Sequence, residues 1–222
     1  MSVPAHPSAT CVLLRDSTSR QLEVLLLQRN PRLGFHGGAW VFPGGRVDAS
    51  DVGSDDLSRA RSAAQRETLE EAGLELSRQE LLVDAHWVTP EERPKRFRTW
   101  FFWASAPSGA VRVDGGEVLR HRWLTPASAL ELHARGGLEL PPPTFVTLSK
   151  LTAFSNIREA MDSLNRRLPE HFTPRPVMRE ASLVSLYEGD AGYAARDVDA
   201  VGARRRLIMP NEGPWRFQLT QT

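Results

Sequence analysis

Several things are scarce in this sequence, and each scarcity narrows what the chain can be. Among 222 residues there is one cysteine, Cys11. That excludes an internal disulfide framework and a cysteine-rich zinc site, and it fits a reducing compartment. No run approaches the ~20 apolar residues of a membrane-spanning helix, and residues 1–10 show no basic stretch followed by an apolar one. A soluble, cytoplasmic protein without a membrane partner is therefore expected. Net charge is also nearly absent: 28 Lys plus Arg stand against 27 Asp plus Glu. Such a chain has no broad field with which to hold nucleic acid, so an anionic small molecule must be bound by charges gathered locally. No internal repeat and no low-complexity tract is visible.

What is present reads as an α/β or α+β sandwich. Residues 11–15 and 23–29 are apolar runs joined by a polar turn, which predicts a hairpin. A glycine-rich passage from Gly34 to Gly38 leads into Ala39-Trp40-Val41-Phe42-Pro43-Gly44-Gly45, a strand broken sharply by Pro-Gly-Gly. Residues 46–58, rich in Asp, Ser and Gly, predict a loop. Residues 59–72 predict a helix, with Gly73 as its C-terminal cap. Strands are expected over 81–89, 98–104 and 118–124, and a second helix over 126–135. The core is thus expected over residues 1–140. Residues 141–222 form an extension packed on it, largely helical, with helix over 144–168 and possible strands near 182–187 and 205–209.

The chemistry is concentrated on the helix after the loop. Glu67, Glu70 and Glu71 stand at i, i+3 and i+4, so they share one helix face, and Ala60, Ala63, Ala64 and Leu74 continue that face. Like charges at that spacing repel, and packing them beside alanines is costly unless a cation neutralises them. Hard cations such as Mg²⁺ or Mn²⁺ prefer carboxylate oxygens and keep open positions for phosphate oxygens. The residues alone also allow a plain solvated acidic face in which Arg66 pairs with Glu70.

Pro43-Gly44-Gly45 followed by Arg66-Glu67-Thr68-Leu69-Glu70-Glu71-Ala72-Gly73-Leu74 resembles the Nudix box. The resemblance implies a Nudix fold, a mixed β-sheet sandwiched between helices. It also implies a metal-dependent hydrolase of a nucleotide diphosphate. Carried over by position, Glu67, Glu70 and Glu71 correspond to the metal-binding glutamates, Glu70 among the catalytic groups, and Arg66 to the arginine that orients them. The loop between Gly45 and Arg66 is longer than the box calls for by about seven residues. It also lacks the box's middle glutamate. Asp48, Asp51, Asp55 and Asp56 are the available substitutes, and the sequence does not choose among them. Glu117, in a loop before Trp123, corresponds to a glutamate that in several Nudix enzymes binds metal or activates water.

The segment from Leu25 to Gly45, with Thr89-Pro90, Phe101-Phe102 and Pro142-Pro143-Thr144, resembles coenzyme A diphosphatases of the peroxisomal type and their bacterial relatives. That implies coenzyme A or acyl-coenzyme A as substrate. Arg29, Arg32 and Arg96, with Gly44 and Gly45, are then the expected substrate-binding residues. ADP-ribose, NADH or dinucleoside polyphosphates are the alternatives within the family, and a catalytically weak nucleotide-binding regulator is the alternative outside enzymes. Phe35 and Trp40 are candidates to border the substrate, with core packing the better reading, and His36 and His121 read as structural. The helical part of the extension is a candidate homodimer contact.

Overall fold

The computed structural model describes residues 3–34 and 36–220. Phe35 lies outside the described residues. The first strand, β1 (His6–Asp16), is central and buried on both sides. Cys11 and Leu13 face one side together with Leu25 and Leu27 of β2 (Leu22–Arg29), whereas Val12 and Leu14 face the other with Val24 and Leu26. A period of two that is apolar in both phases demands cover on both faces of the sheet.

Along one edge β1 runs parallel to β6 (Phe97–Ser105), from His6 opposite Phe97 to Leu14 opposite Ser105. Along the other edge it changes partner. Residues 14–16 pair with β2, but residues 8–10 pair with β4 (Gly44–Arg46). β2 meanwhile pairs through Leu27 and Gln28 with β3 (Trp40–Val41). The two central strands therefore diverge, and the Phe42-Pro43 step crosses the gap, anchored by the Cys11 N–H on the Pro43 carbonyl at 2.8 Å. The functional cleft lies at this divergence. β5 (Leu82–Val88) extends the sheet beyond β6, and β7 (Val118–Leu124) covers the outer edge of β2, with a register shift at Gln28 and Arg29.

Helix α1 (Asp56–Ala72) lies on the Cys11 and Leu13 face and buries Ala60, Ala63, Ala64 and Ala72. Small residues let the helix axis approach the sheet closely. It begins three residues before the sequence expectation because Asp55 caps it, accepting the Ser58 N–H at 2.7 Å while the Ser58 hydroxyl accepts the Asp55 N–H. Gly73 ends it in the left-handed region at φ 67°. The opposite face is covered by α2 (Pro126–Ala134), α3 (Pro142–Leu151) and α4 (Ile157–Leu164). Among the described residues no helix is long and apolar enough to cross a membrane.

The extension departs from the expectation that it is largely helical. After α4 it is built of strands: β8 (Glu170–Phe172), β9 (Arg175–Arg179), β10 (Ser182–Leu186), β11 (Arg204–Pro210) and β12 (Arg216–Thr220). β8 adds to the main sheet parallel to β5, and the other four form an antiparallel sheet. Pro169, Pro174 and Pro176 forbid a continued helix. Alternation then decides the rest. Leu183 and Leu207 join Tyr187 against the main core, while Val184, Leu186 and Ile208 pack with Val198 on the reverse side. Phe172 stacks on Trp87 with ring centroids 4.0 Å apart, tying the extension to β5.

Candidate active site

A cavity of about 640 Å³ opens where β1 and β2 part. Its floor is the Gly44-Gly45 step, and each glycine is required by a different neighbour. A Cβ on Gly44 would stand 2.4 Å from the Ala9 carbonyl oxygen and 2.8 Å from the Thr10 Cα, which is backbone and cannot yield. A Cβ on Gly45 would stand 2.3 Å from the Glu67 carboxylate, the movable end of a side chain. Gly44→Ala is therefore expected to lower stability by about 1–3 kcal/mol as an overpacking substitution. Gly45→Ala should fold with near-normal stability and lose activity by displacing Glu67. Thermal melts beside turnover numbers distinguish the two, and equal stability loss in both would refute the assignment.

The helix that follows brings Glu67, Glu70 and Glu71 to the cavity wall, each in a different setting. Glu71 is 6% exposed and accepts the Gly44 N–H at 2.9 Å. Burial pushes its carboxyl up to about 8, against the pull of that N–H and of Arg29, whose guanidinium is 3.9 Å away. Burial also raises Glu67, opposed by Arg66 at 2.9 Å. Glu70 is on the exposed rim, 3.1 Å from the same arginine. Among the described residues no group of three or more His, Cys, Asp or Glu stands in a ready metal-ligand arrangement. Arg66 draws Glu67 and Glu70 to itself, and Glu71 is turned to the Gly44 amide.

Arg66 is itself fixed from the long loop. Asp51, buried, receives its Nε at 3.1 Å and its Nη2 at 3.0 Å, and the Arg46 carbonyl accepts a further N–H at 2.9 Å. Burial alone would raise the Asp51 carboxyl, but Arg66 and the Asp48 N–H together hold it below the usual range. The other aspartates have other tasks. Asp55 caps α1, Asp56 pairs with Arg98 at 3.1 Å, and the exposed Asp48 carboxylate stays 3.8 Å from Arg66. Of the four, Asp51 is the one that completes the arginine's fork.

Glu117 reaches the cavity from the loop before β7. Asp114 holds that loop by accepting the N–H groups of Gly116, Glu117 and Val118 at 3.2, 2.8 and 2.8 Å. Asn30, just past the end of β2, clamps it, its amide side chain on the Gly116 carbonyl and its backbone N–H on that of Glu117, both at 2.8 Å. Arg29 stands between Glu117 at 3.8 Å and Glu71, and its buried Nε has no hydrogen-bond partner among the described residues. The geometry thus sets a cation between two carboxylates at the cavity wall.

Two expected substrate-binding residues are not on that wall. Arg96 is 7% exposed and holds chain instead, donating to the Thr89 carbonyl at 3.2 Å and the Val3 carbonyl at 2.8 Å. Arg32 is exposed beside the cavity, and the lining passes through Leu33, Gly34 and His36 in its place. Trp40 is buried in the core. Sequence reasoning did not choose Lys95 from the cations available and missed Arg46 and Phe97; all three line the cavity. Arg46 on β4 and Phe97 on β6, with Lys95 just before it, become neighbours only when β4 and β6 both flank β1, so no local motif marks them.

The NUDIX domain family model matches residues 4–142. The chain is 25% identical over 297 residues to acyl-coenzyme A diphosphatase NUDT19 of Xenopus laevis, across 89% of this chain and 78% of that protein. It is 25% identical to the Homo sapiens protein of the same name, across 85% and 77%. Among solved structures, a NUDIX hydrolase from Alicyclobacillus acidocaldarius matches with a TM-score of 0.65 and 25% identity, across 72% of this chain and 96% of that one. A glutamate helix set over a two-glycine step in a branched mixed sheet, with more than half the chain matched by the family model, makes this chain a Nudix hydrolase, a member of the NUDIX domain family with its fold.

Proposed function

We propose that this hydrolase cleaves the diphosphate of coenzyme A or acyl-coenzyme A, releasing a 3′,5′-nucleotide and a phosphopantetheine product, with Mg²⁺ or Mn²⁺. The observation that carries the proposal is one cavity with Glu67, Glu70, Glu71 and Glu117 on one wall and Arg46 and Lys95 on another. The similarity to acyl-coenzyme A diphosphatases over most of the chain supports the choice of substrate.

The residues fit a divalent cation. The donors are all carboxylate oxygens, and Glu71 is desolvated more than its two partners repay, so an added positive charge relieves a cost already present. Glu67, Glu70 and Glu71 would hold the ion, which when bound neutralises diphosphate charge and lowers the pKa of water.

The chain's own groups supply the rest. The Gly44-Gly45 backbone, without side chains, lets the diphosphate come close to the floor. Arg29, on the cavity wall, offers its guanidinium to a phosphate oxygen. Arg66, braced by Asp51, keeps Glu67 and Glu70 from swinging away. Glu117 takes the proton of the attacking water as the new P–O bond forms and the bond to the leaving phosphate breaks in line.

The test incubates the purified protein with coenzyme A, acyl-coenzyme A, ADP-ribose, NADH and dinucleoside polyphosphates in Mg²⁺ or Mn²⁺, identifying products by mass. Phosphopantetheine and adenosine 3′,5′-bisphosphate are expected, and a chelator should abolish their release. A clear preference for ADP-ribose would overturn the substrate assignment.

A further inference from the structure

The cavity wall turned away from α1 is basic and aromatic. β4, β1 and β6 lie side by side there, with Arg46 opposite Ser8 and Ser8 opposite Thr99, so these residues share one face of the sheet. Phe97, two residues before Thr99 on β6, belongs to the same face. The Arg46 guanidinium lies 5.8 Å from the Phe97 ring centroid, and the Lys95 ammonium lies 5.5 Å from it. All three line the cavity. So does Ser8, only 6% exposed, whose hydroxyl has no hydrogen-bond partner among the described residues.

Two cations beside one ring are suited to a particular ligand. An aromatic base stacks on the ring, and a phosphomonoester, carrying close to two negative charges, sits between the cations with charge-assisted hydrogen bonds. The opposite wall is closed to a bare anion by its glutamates. A ligand with a diphosphate and a separate phosphomonoester therefore finds two unlike regions in one cavity, one for each anion.

We propose that Arg46, Phe97 and Lys95 form the subsite for the base and ribose phosphate of the nucleotide end, selecting substrates with a phosphomonoester on the ribose over those without one. This rests on the coenzyme A reading, since coenzyme A carries such a phosphate and dephospho-coenzyme A does not. The Arg46 carbonyl, not its side chain, receives Arg66, so truncating the side chain leaves that brace in place.

The experiment compares Arg46→Ala, Lys95→Ala and the double variant with the parent chain. Two ratios are read. The first is kcat/KM for coenzyme A over that for dephospho-coenzyme A. The second is the calorimetric affinity for adenosine 3′,5′-bisphosphate over that for adenosine 5′-monophosphate. Each ratio is expected to fall roughly tenfold per cation removed, the value of one charge-assisted contact. Parent-like ratios in the double variant would overturn the subsite. If the parent chain cleaves neither coenzyme A nor its dephospho form, the substrate reading fails on its own, and the affinity ratio still decides the subsite.

Discussion

Glu71→Gln is expected to reduce turnover by about 10²–10³-fold while leaving the metal-free protein more stable at alkaline pH than the parent. Both effects come from one location. Glu71 is almost fully buried, and glutamine fills the same space and still accepts the Gly44 N–H, so the fold loses only the long 3.9 Å ion pair to Arg29. What disappears is a negative charge that burial disfavours and that a cation would need.

The pH dependence has a definite sign. The folded carboxyl is pushed up to about 8, above its unfolded value of 4.5. Between these values the folded protein holds a proton that the unfolded chain has released, so stability falls as pH rises through that window. Glutamine has no such dependence. The melting temperatures of parent and variant, measured in chelator, should coincide near pH 4 and separate up to about pH 8. Near-normal turnover in saturating Mg²⁺ would remove Glu71 from the site. A variant melting below the parent at pH 8 would contradict the buried-charge argument. Glu71→Ala is the poorer test because it leaves the Gly44 amide without an acceptor.

Arg206→Leu is expected to cost about 3–5 kcal/mol of stability, as removal of one partner from a buried ion pair does. Asp190 is fully buried at its carboxylate and receives Arg206 twice, at 2.7 and 2.6 Å, along with the backbone N–H groups of Arg205 and Gly192. Arg206 also donates to the Val198 carbonyl at 2.6 Å, pinning the loop over the reverse face of the β9–β12 sheet. Leucine leaves Asp190 charged with only its backbone donors. Burial by itself would raise the Asp190 carboxyl, but Arg206 and the two amides outweigh it and hold it below the usual range. A depressed carboxyl stabilises above its unfolded value, near 4, and that contribution is lost as pH falls through the folded value. The parent sheet should therefore loosen below about pH 4, and the variant should lose much of that acid sensitivity along with its stability. Denaturant melts at pH 3 to 7 read both. A loss under about 1 kcal/mol would show that the pair is not the lock it resembles. Because no described residue of the extension lines the cavity, turnover well below the melting temperature separates a folding defect from damage to the site.

Much of the chain's order is local and was therefore legible. The helix of Glu67, Glu70 and Glu71 follows from period, cap and alanine face, and the structure differs only by one added turn behind Asp55. β7 runs from Val118 to Leu124, the bounds its composition suggests. The extension was less legible. β10 and β11 show their alternation, but β9 carries Pro176 and β12 is largely polar, so neither reads as a strand until β10 and β11 present their edges to them. Arg96 and Arg46 show the same limit in side chains. Both are arginines near turns, and only the path of the backbone puts one in the protein's interior and the other on the cavity wall.

By itself the sequence determined the helix of acids, the two-glycine step and the absence of disulfide, repeat or general anion-binding field, because these depend on residue type and short spacing alone. Tertiary structure decided how unlike the three glutamates are, which aspartate braces Arg66, and which cations enter the cavity. Those outcomes depend on desolvation and on charges brought together across strands β1, β2, β4 and β6, and neither quantity exists until the chain has folded.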